Sequence, residues 1–240
     1  MLGYATPPPG QTRVTLFEPT LHHATRHGIV VGVPIPDARD PVPEVVLARL
    51  PPAERDAALA LGGYRQVSFV GGRIALRAAR RHLGASLDPV LSDARGAPIL
   101  PAGLAGSVSH KRTLAIAMVS ATDGATVGVD LEDYGPARPR ILDRILRPEE
   151  LEEILPLPPD RQWIAAVTRF SIKESIYKAL DPWVKRYVDF HEARVDIDLS
   201  GRARVELHLK HGEGPFVVDA RFEWWEGRLL SSVMIRPVRA

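Results

Sequence analysis

Residues 125–132 read ATVGVDLE, and the period of two in an extended strand puts Val127, Val129 and Leu131 on one face and Gly128, Asp130 and Glu132 on the other. One face belongs to a core and the other is acidic. Two carboxylates on the same side repel unless something positive lies between them, and a hard divalent cation that prefers oxygen is the usual solution. On this reading Gly128 leaves space for a ligand alongside. The plainer reading of an isolated D-x-E is a solvated edge strand.

Working outward, residues 113–119 form an apolar run, and Thr122, Asp123 and Gly124 between the two runs predict a hairpin. Before it lies a Gly- and Pro-rich loop at 93–106. Residues 52–84 change to Ala, Leu and Arg, which predicts two helices interrupted near Gly62 and Gly63, with Phe69, Ile74, Leu76, Ala78 and Leu83 buried in the second. Residues 28–33 read as a strand between Pro-rich punctuation at 7–9 and 34–43. Downstream, helices are expected from near Pro148 and from about Asp160 to Leu180, followed by strands at 193–199, 203–209, 216–225 and 229–235. The order predicts an α+β or α/β chain of two similar-sized lobes, residues 1–126 and 127–240.

The composition supports an ordinary globular protein: 240 residues, 45% hydrophobic and 25% charged, enough apolar material for a core. No run approaches the roughly 18 apolar residues of a membrane span, and MLGYATPPPGQTR lacks the pattern of a signal peptide, so a cytoplasmic location and no membrane partner are expected. The absence of cysteine excludes disulfides, thiolate nucleophiles and cysteine-built zinc sites. A net charge of +2 argues against a nucleic-acid coat, so any anion site must be local. His22, His23 and His27 offer H-x-x-x-H spacing, but a zinc site would need a helix here and a third ligand, and a solvated segment is the simpler reading.

Only five of the basic residues are lysines, and two of them fall in FSIKESIYKAL, residues 170–180. Here Ile172, Ile176, Ala179 and Leu180 recur at helical spacing and predict a buried stripe, while Glu174 and Lys178 sit together at i and i+4. By itself the pair is a surface ion pair. Set beside Asp130 and Glu132, Glu174 becomes a third oxygen ligand, with Lys173 and Lys178 flanking it to meet phosphate oxygens; Mg²⁺ commonly binds through a few carboxylates plus substrate phosphates. GSVSHKR, residues 106–112, reads as a loop at a strand edge whose hydroxyls, imidazole and cations could hold phosphate, or whose Ser107 and Ser109 could simply make turn hydrogen bonds.

In order, these segments resemble the 4′-phosphopantetheinyl transferases, in the larger two-lobed (surfactin/enterobactin synthetase-activating) form that serves peptide, polyketide and siderophore synthases. The family pattern looks like Ser-His, then G-V-D-x-E, then F/W-S-x-K-E-S/A-x-x-K-A, and the matching residues are Ser109-His110, 128–132 and 170–179. Arg65, Phe69, Gly72 and Arg73 resemble its R-x-x-x-F-x-x-G-R stretch, and RGAPILPAGLAGS at 95–107 resembles the loop before Ser-His. The likeness covers about residues 65–180. Leu100 stands where an aromatic often precedes the Pro, and Lys111 where enterobactin-type relatives often have Cys.

The resemblance implies a two-lobed pseudo-dimer binding coenzyme A in the cleft. It also implies attack by a serine hydroxyl of an apo acyl or peptidyl carrier protein on the β-phosphate, releasing adenosine 3′,5′-bisphosphate. By position, Asp130, Glu132 and Glu174 would hold Mg²⁺, with Mn²⁺ as an alternative, and Glu174 would be the general base. Lys173 and Lys178 would pair with the pyrophosphate, and Lys173 could also neutralise the leaving group. His110, Arg65 and Arg73 would meet the 3′-phosphate with Ser109 assisting, and Arg95 is a weaker anion-binding candidate. A monomer is expected. The alternatives are a metal-dependent phosphodiesterase or nuclease, which leaves Ser-His unexplained, and a non-catalytic coenzyme A-binding module.

Overall fold

The computed structural model describes residues 15–198 and 200–238. The Pro-rich stretch at 7–9 and Leu199, the end of one expected strand, lie outside the described residues. The elements in chain order are β1 (Leu21–Thr25), β2 (Gly28–Pro34), α1 (Glu44–Leu47), α2 (Pro52–Leu59), α3 (Gly63–His82), β3 (Leu104–Lys111), β4 (Leu114–Ala121), β5 (Thr126–Asp133), α4 (Leu142–Ile145), α5 (Pro148–Ile154), α6 (Pro159–Val184), β6 (Ala193–Ile197), β7 (Arg202–Leu207), β8 (Phe216–Trp225) and β9 (Arg228–Pro237). No helix among the described residues is long and apolar enough to cross a membrane.

The strands form two antiparallel sheets, ordered β1-β2-β4-β3 and β5-β9-β8-β7-β6. They pack face to face, with α3 outside the first and α6 outside the second. Strand β4 shows why. Its Ala115, Ala117 and Val119 join Val67, Val70 and Ala75 of α3, while its Leu114, Ile116 and Met118 join Val127, Val129 and Leu131 of β5. Buried on both faces, β4 reads as a continuous apolar run rather than an alternating one. On the far side of the second sheet, Ile172, Ile176, Ala179 and Leu180 of α6 cover Val195, Ala220, Val233 and Ile235. In α3, Ile74, Leu76 and Ala78 are buried, and Phe69 and Leu83 are partly buried against the same core.

Two expectations are corrected. Strands β4 and β5 are not a hairpin: β4 already has β2 and β3 on its two edges, so the chain crosses at 122–125 to the other sheet, where β5 pairs with β9. Gly124, at φ +75°, and the Thr122 hydroxyl on Ala125 N build the tight turn that the sequence signalled, but a turn does not say which edge is free. The segment expected to be a loop at 106–112 is instead mostly strand β3, which turns into β4 at Arg112 and Thr113. Its Ser107 and Ser109 are buried and polar because they face the second sheet across the cleft.

The three early histidines diverge. His22 meets His82 of α3, His23 meets Glu223 at 2.9 Å, and His27 lies between the sheets with Nδ1 2.9 Å from Ser232 Oγ and Nε2 3.5 Å from Asp219. Burial, only partly offset by Asp219, holds the His27 imidazole below its ordinary value.

Gly128 leaves room for a helix rather than a ligand. A Cβ there would lie 1.8 Å from Ser175 O and 3.0 Å from Ala179 N, so α6 sits backbone to backbone on β5. Gly128→Ala should therefore cost about 3 kcal/mol or more of unfolding free energy, measured by chemical denaturation. For His27 the sign follows from its lowered folded pKa. The unfolded chain takes up the proton first, so the contribution is full above an unfolded pKa near 6.5 and is lost as pH falls through it. The stability advantage of the wild type over His27→Gln should accordingly shrink between about pH 7.5 and about pH 5.5.

Candidate active site

The edge strands of the two sheets, β3 and β5, abut without forming a ladder. Side chains take the free backbone groups of β5 instead: Ser107 Oγ accepts from Val129 N at 3.1 Å, and Lys178 Nζ donates to Val129 O at 2.9 Å. The cleft that results is lined by the polar face of β5, one face of α6 and the end of β3.

Asp130 is the centre of this cleft and is only 4% exposed. Its Oδ1 accepts from Ser109 Oγ and from Lys178 Nζ, each at 2.8 Å, and its Oδ2 accepts from Ser171 Oγ at 3.0 Å. Behind Ser171, the hydroxyls of Ser231 and Ser175 continue the chain at 2.8 Å per step, all three fully buried. Each hydroxyl can donate toward Asp130, so the buried charge is satisfied by a relay as well as by an ammonium.

Glu132, one strand period further, is paired with Lys111 Nζ at 2.5 Å. Desolvation, reinforced by the charge of Asp130 and opposed by Lys111, pushes its pKa up to about 7. Glu174 is raised as well, first by desolvation, with Lys178 lowering it and Asp130 raising it. His110 lies beside Tyr64, ring centroids 5.8 Å apart, and is held below the ordinary imidazole value by desolvation and then by Lys178 and Lys111. Three carboxylates, two ammonium groups and an imidazole thus share one cleft and feel one another's charge.

The donor set fits a hard divalent cation. All the ligands are oxygens, and the carboxyls are desolvated and repel one another, an excess that a dication would neutralise. No three His, Asp or Glu side chains among the described residues already stand in metal-holding geometry; Lys178 and Lys111 occupy two of the carboxylates.

A sequence profile described as the 4′-phosphopantetheinyl transferase superfamily matches residues 126–222, and one for the 4′-phosphopantetheinyl transferase N-terminal domain matches 56–120. The chain is 35% identical over 165 residues to 4′-phosphopantetheinyl transferase Svp of Streptomyces mobaraensis, covering 67% of this chain and 65%, just under two thirds, of that relative. It is 31% identical over 173 residues to enterobactin synthase component D of Salmonella typhimurium, covering 69% of each. A solved ACPS-CoA complex from Chronobacterium ammoniagenes aligns with 49% of this chain and 100% of its own, at 19% identity and a TM-score of 0.38. The chain belongs to the 4′-phosphopantetheinyl transferase superfamily.

Of the residues expected at the site, the structure brings together Asp130, Glu132, Glu174, Lys178, Ser109 and His110. Ser109 is committed to Asp130 and not free for a phosphate. Lys173 is a correction. Its Nζ lies 2.5 Å from Glu150 Oε2 and 2.9 Å from Ile145 O, in an ion pair that is essentially closed to solvent, under α5. Five residues along a helix turn the side chain by about 140°, so Lys173 and Lys178 cannot share a face. Arg73 is buried, stacked 4.4 Å over the Phe69 ring and donating to Ser92 Oγ at 2.7 Å, while Arg65 is exposed on α3. Arg95 bridges to α6 through Asp181 at 2.5 Å and Tyr177 at 2.8 Å.

Ser171, Ser175 and Ser231 were not anticipated as parts of the site, and Lys111, one of the cations of 106–112 expected to meet phosphate, pairs with Glu132 instead. The two serines four apart on α6 were visible, but only the register of β9 brings Ser231 between them.

Glu150 also accepts from Val195 N and Arg147 N, so removing Lys173 strands a fully satisfied buried carboxylate. Lys173→Met should lower unfolding free energy by about 3–5 kcal/mol in denaturant titrations, whereas a variant as stable as wild type would mean the pair is not structural.

Proposed function

We propose that this chain transfers 4′-phosphopantetheine from coenzyme A to a serine of an apo acyl or peptidyl carrier protein of a peptide, polyketide or siderophore synthase. It would work as a cytoplasmic monomer whose lobes, residues 1–126 and 127–240, both line the cleft. The observation that carries the reading is the convergence of Asp130, Glu132, Glu174, Lys111, Lys178 and His110 where β3 abuts β5, in a chain of this superfamily.

Asp130, Glu132 and Glu174 would hold Mg²⁺. When bound, the ion supplies charge neutralisation at the pyrophosphate. The remaining steps belong to the protein. Glu174, whose pKa burial raises above the ordinary carboxylate value, takes the proton of the carrier serine, making it a better base than an exposed carboxylate. The serine oxygen attacks the β-phosphorus, and the bond to the bridging oxygen breaks to leave adenosine 3′,5′-bisphosphate. Lys178, already fixed on β5 by Asp130 and Val129 O, faces the charge that develops on the leaving phosphate, the role expected of Lys173. His110 and Arg65 meet the 3′-phosphate side, with Arg73, braced by Phe69 and Ser92, behind them.

Incubation of the purified protein with coenzyme A, Mg²⁺ and an apo carrier should add one phosphopantetheine to the intact carrier mass, and chelator should abolish the gain. Asp130→Asn and Glu174→Gln should each slow transfer by about 10²-fold or more while remaining folded. Turnover close to wild type in both would refute the site.

A further inference from the structure

Lys111 stands where enterobactin-type relatives often have Cys, yet it makes one of the two ion pairs inside the cleft. It ends β3, opposite Leu114 across the turn, and its carbonyl accepts from Tyr64 OH at 2.6 Å, so its backbone is tied to α3 on the first sheet. From there the side chain crosses the joint to Glu132 on the second sheet. The two side chains are 28% and 13% exposed. Lys178 pairs with Asp130 from α6, on the second sheet's own side. Three carboxylates therefore face two resident ammonium groups, and no hydrogen bond or ion pair among the described residues engages the Glu174 carboxylate.

We propose that Lys111 is a resident counter-ion that competes with the divalent cation for Glu132, so that it weakens cation binding while holding this carboxylate in the cleft when no cation is present. The inference rests on the metal-site reading above and assigns Lys111 a positioning role. The physical reason is exclusion of like charges. An ammonium 2.5 Å from one carboxylate oxygen and a dication on the same carboxylate repel strongly where water is scarce, so the cation must displace the lysine before Glu132 can serve it. The lysine's flexible stem permits that displacement, and its half-open position gives the ammonium somewhere to go.

The test is titration of the purified chain with Mn²⁺ in the absence of coenzyme A, reading free Mn²⁺ by electron paramagnetic resonance, for wild type, Lys111→Met and Lys111→Arg. The proposal expects Lys111→Met to bind Mn²⁺ about tenfold or more tightly than wild type, and Lys111→Arg to restore the wild-type affinity. It also expects saturating Mn²⁺ to raise Tm more in Lys111→Met than in wild type. Should Lys111→Met fail to fold, Lys111→Gln takes its place with the same expectation. Unchanged or weaker Mn²⁺ affinity in the variant, with wild type still binding and Asp130→Asn losing it, overturns the role of Lys111 alone. Absence of Mn²⁺ binding to wild type overturns the metal-site reading and this proposal with it.

Discussion

Asp130 is a carboxylate removed from water at the meeting point of strand β5, strand β3 and helix α6, and a buried charge is tolerable only where partners surround it. Its partners come from both other elements: Ser109 from β3, Ser171 and Lys178 from α6. Each bond is short-range, so satisfying all three at once fixes how close the helix lies to its sheet and how the two sheets meet. The neighbouring residues conform to that demand. Gly128 has no side chain because the helix backbone passes there, and the helix presents Ser171 and Ser175 because only small hydroxyls fit between it and Ser231 while passing hydrogen bonds toward the carboxylate.

The same constraint explains why the cleft exists. An edge strand with free backbone groups invites another strand, and β3 and β5 are edges of neighbouring sheets. Had they paired, a continuous ladder would have closed the space between the lobes. Ser107 and Lys178 take the Val129 N–H and C=O instead, so the joint is made of side chains rather than of a backbone ladder. The charged groups gather at the joint because there Asp130 meets Ser109 of β3 as well as Ser171 and Lys178 of the helix.

Much of this was legible in the chain. Alternation over 125–132 separated the core residues Val127, Val129 and Leu131 from the acidic face, and the stripe at Ile172, Ile176, Ala179 and Leu180 told which side of α6 is buried. Pairing was not legible, since the turn after β4 is good turn chemistry whichever edge its successor joins. Nor was the strand at 104–111: serine, histidine and lysine look like loop when the surface they face is another polar face rather than solvent. Gly128 was read as room for a ligand because sequence shows the missing side chain but not the helix backbone that requires it. Lys173 was placed with Lys178 by proximity in sequence, although the helical angle between them already separated their faces.

Lys173 and Lys111 mark the difference between a pair that builds the fold and a pair that prepares a site. Glu150 has every oxygen engaged, by Lys173 and by backbone amides at Arg147 and Val195, and the pair is closed to solvent, so nothing further can be bound without breaking it. Glu132 has one ion-pair partner, and its pKa is raised to about 7 despite it, first by desolvation and then by the charge of Asp130. A closed pair is an endpoint of folding. An open one keeps an oxygen that a cation could take, and the two kinds are told apart by counting the oxygens left over rather than by the distance between the charges.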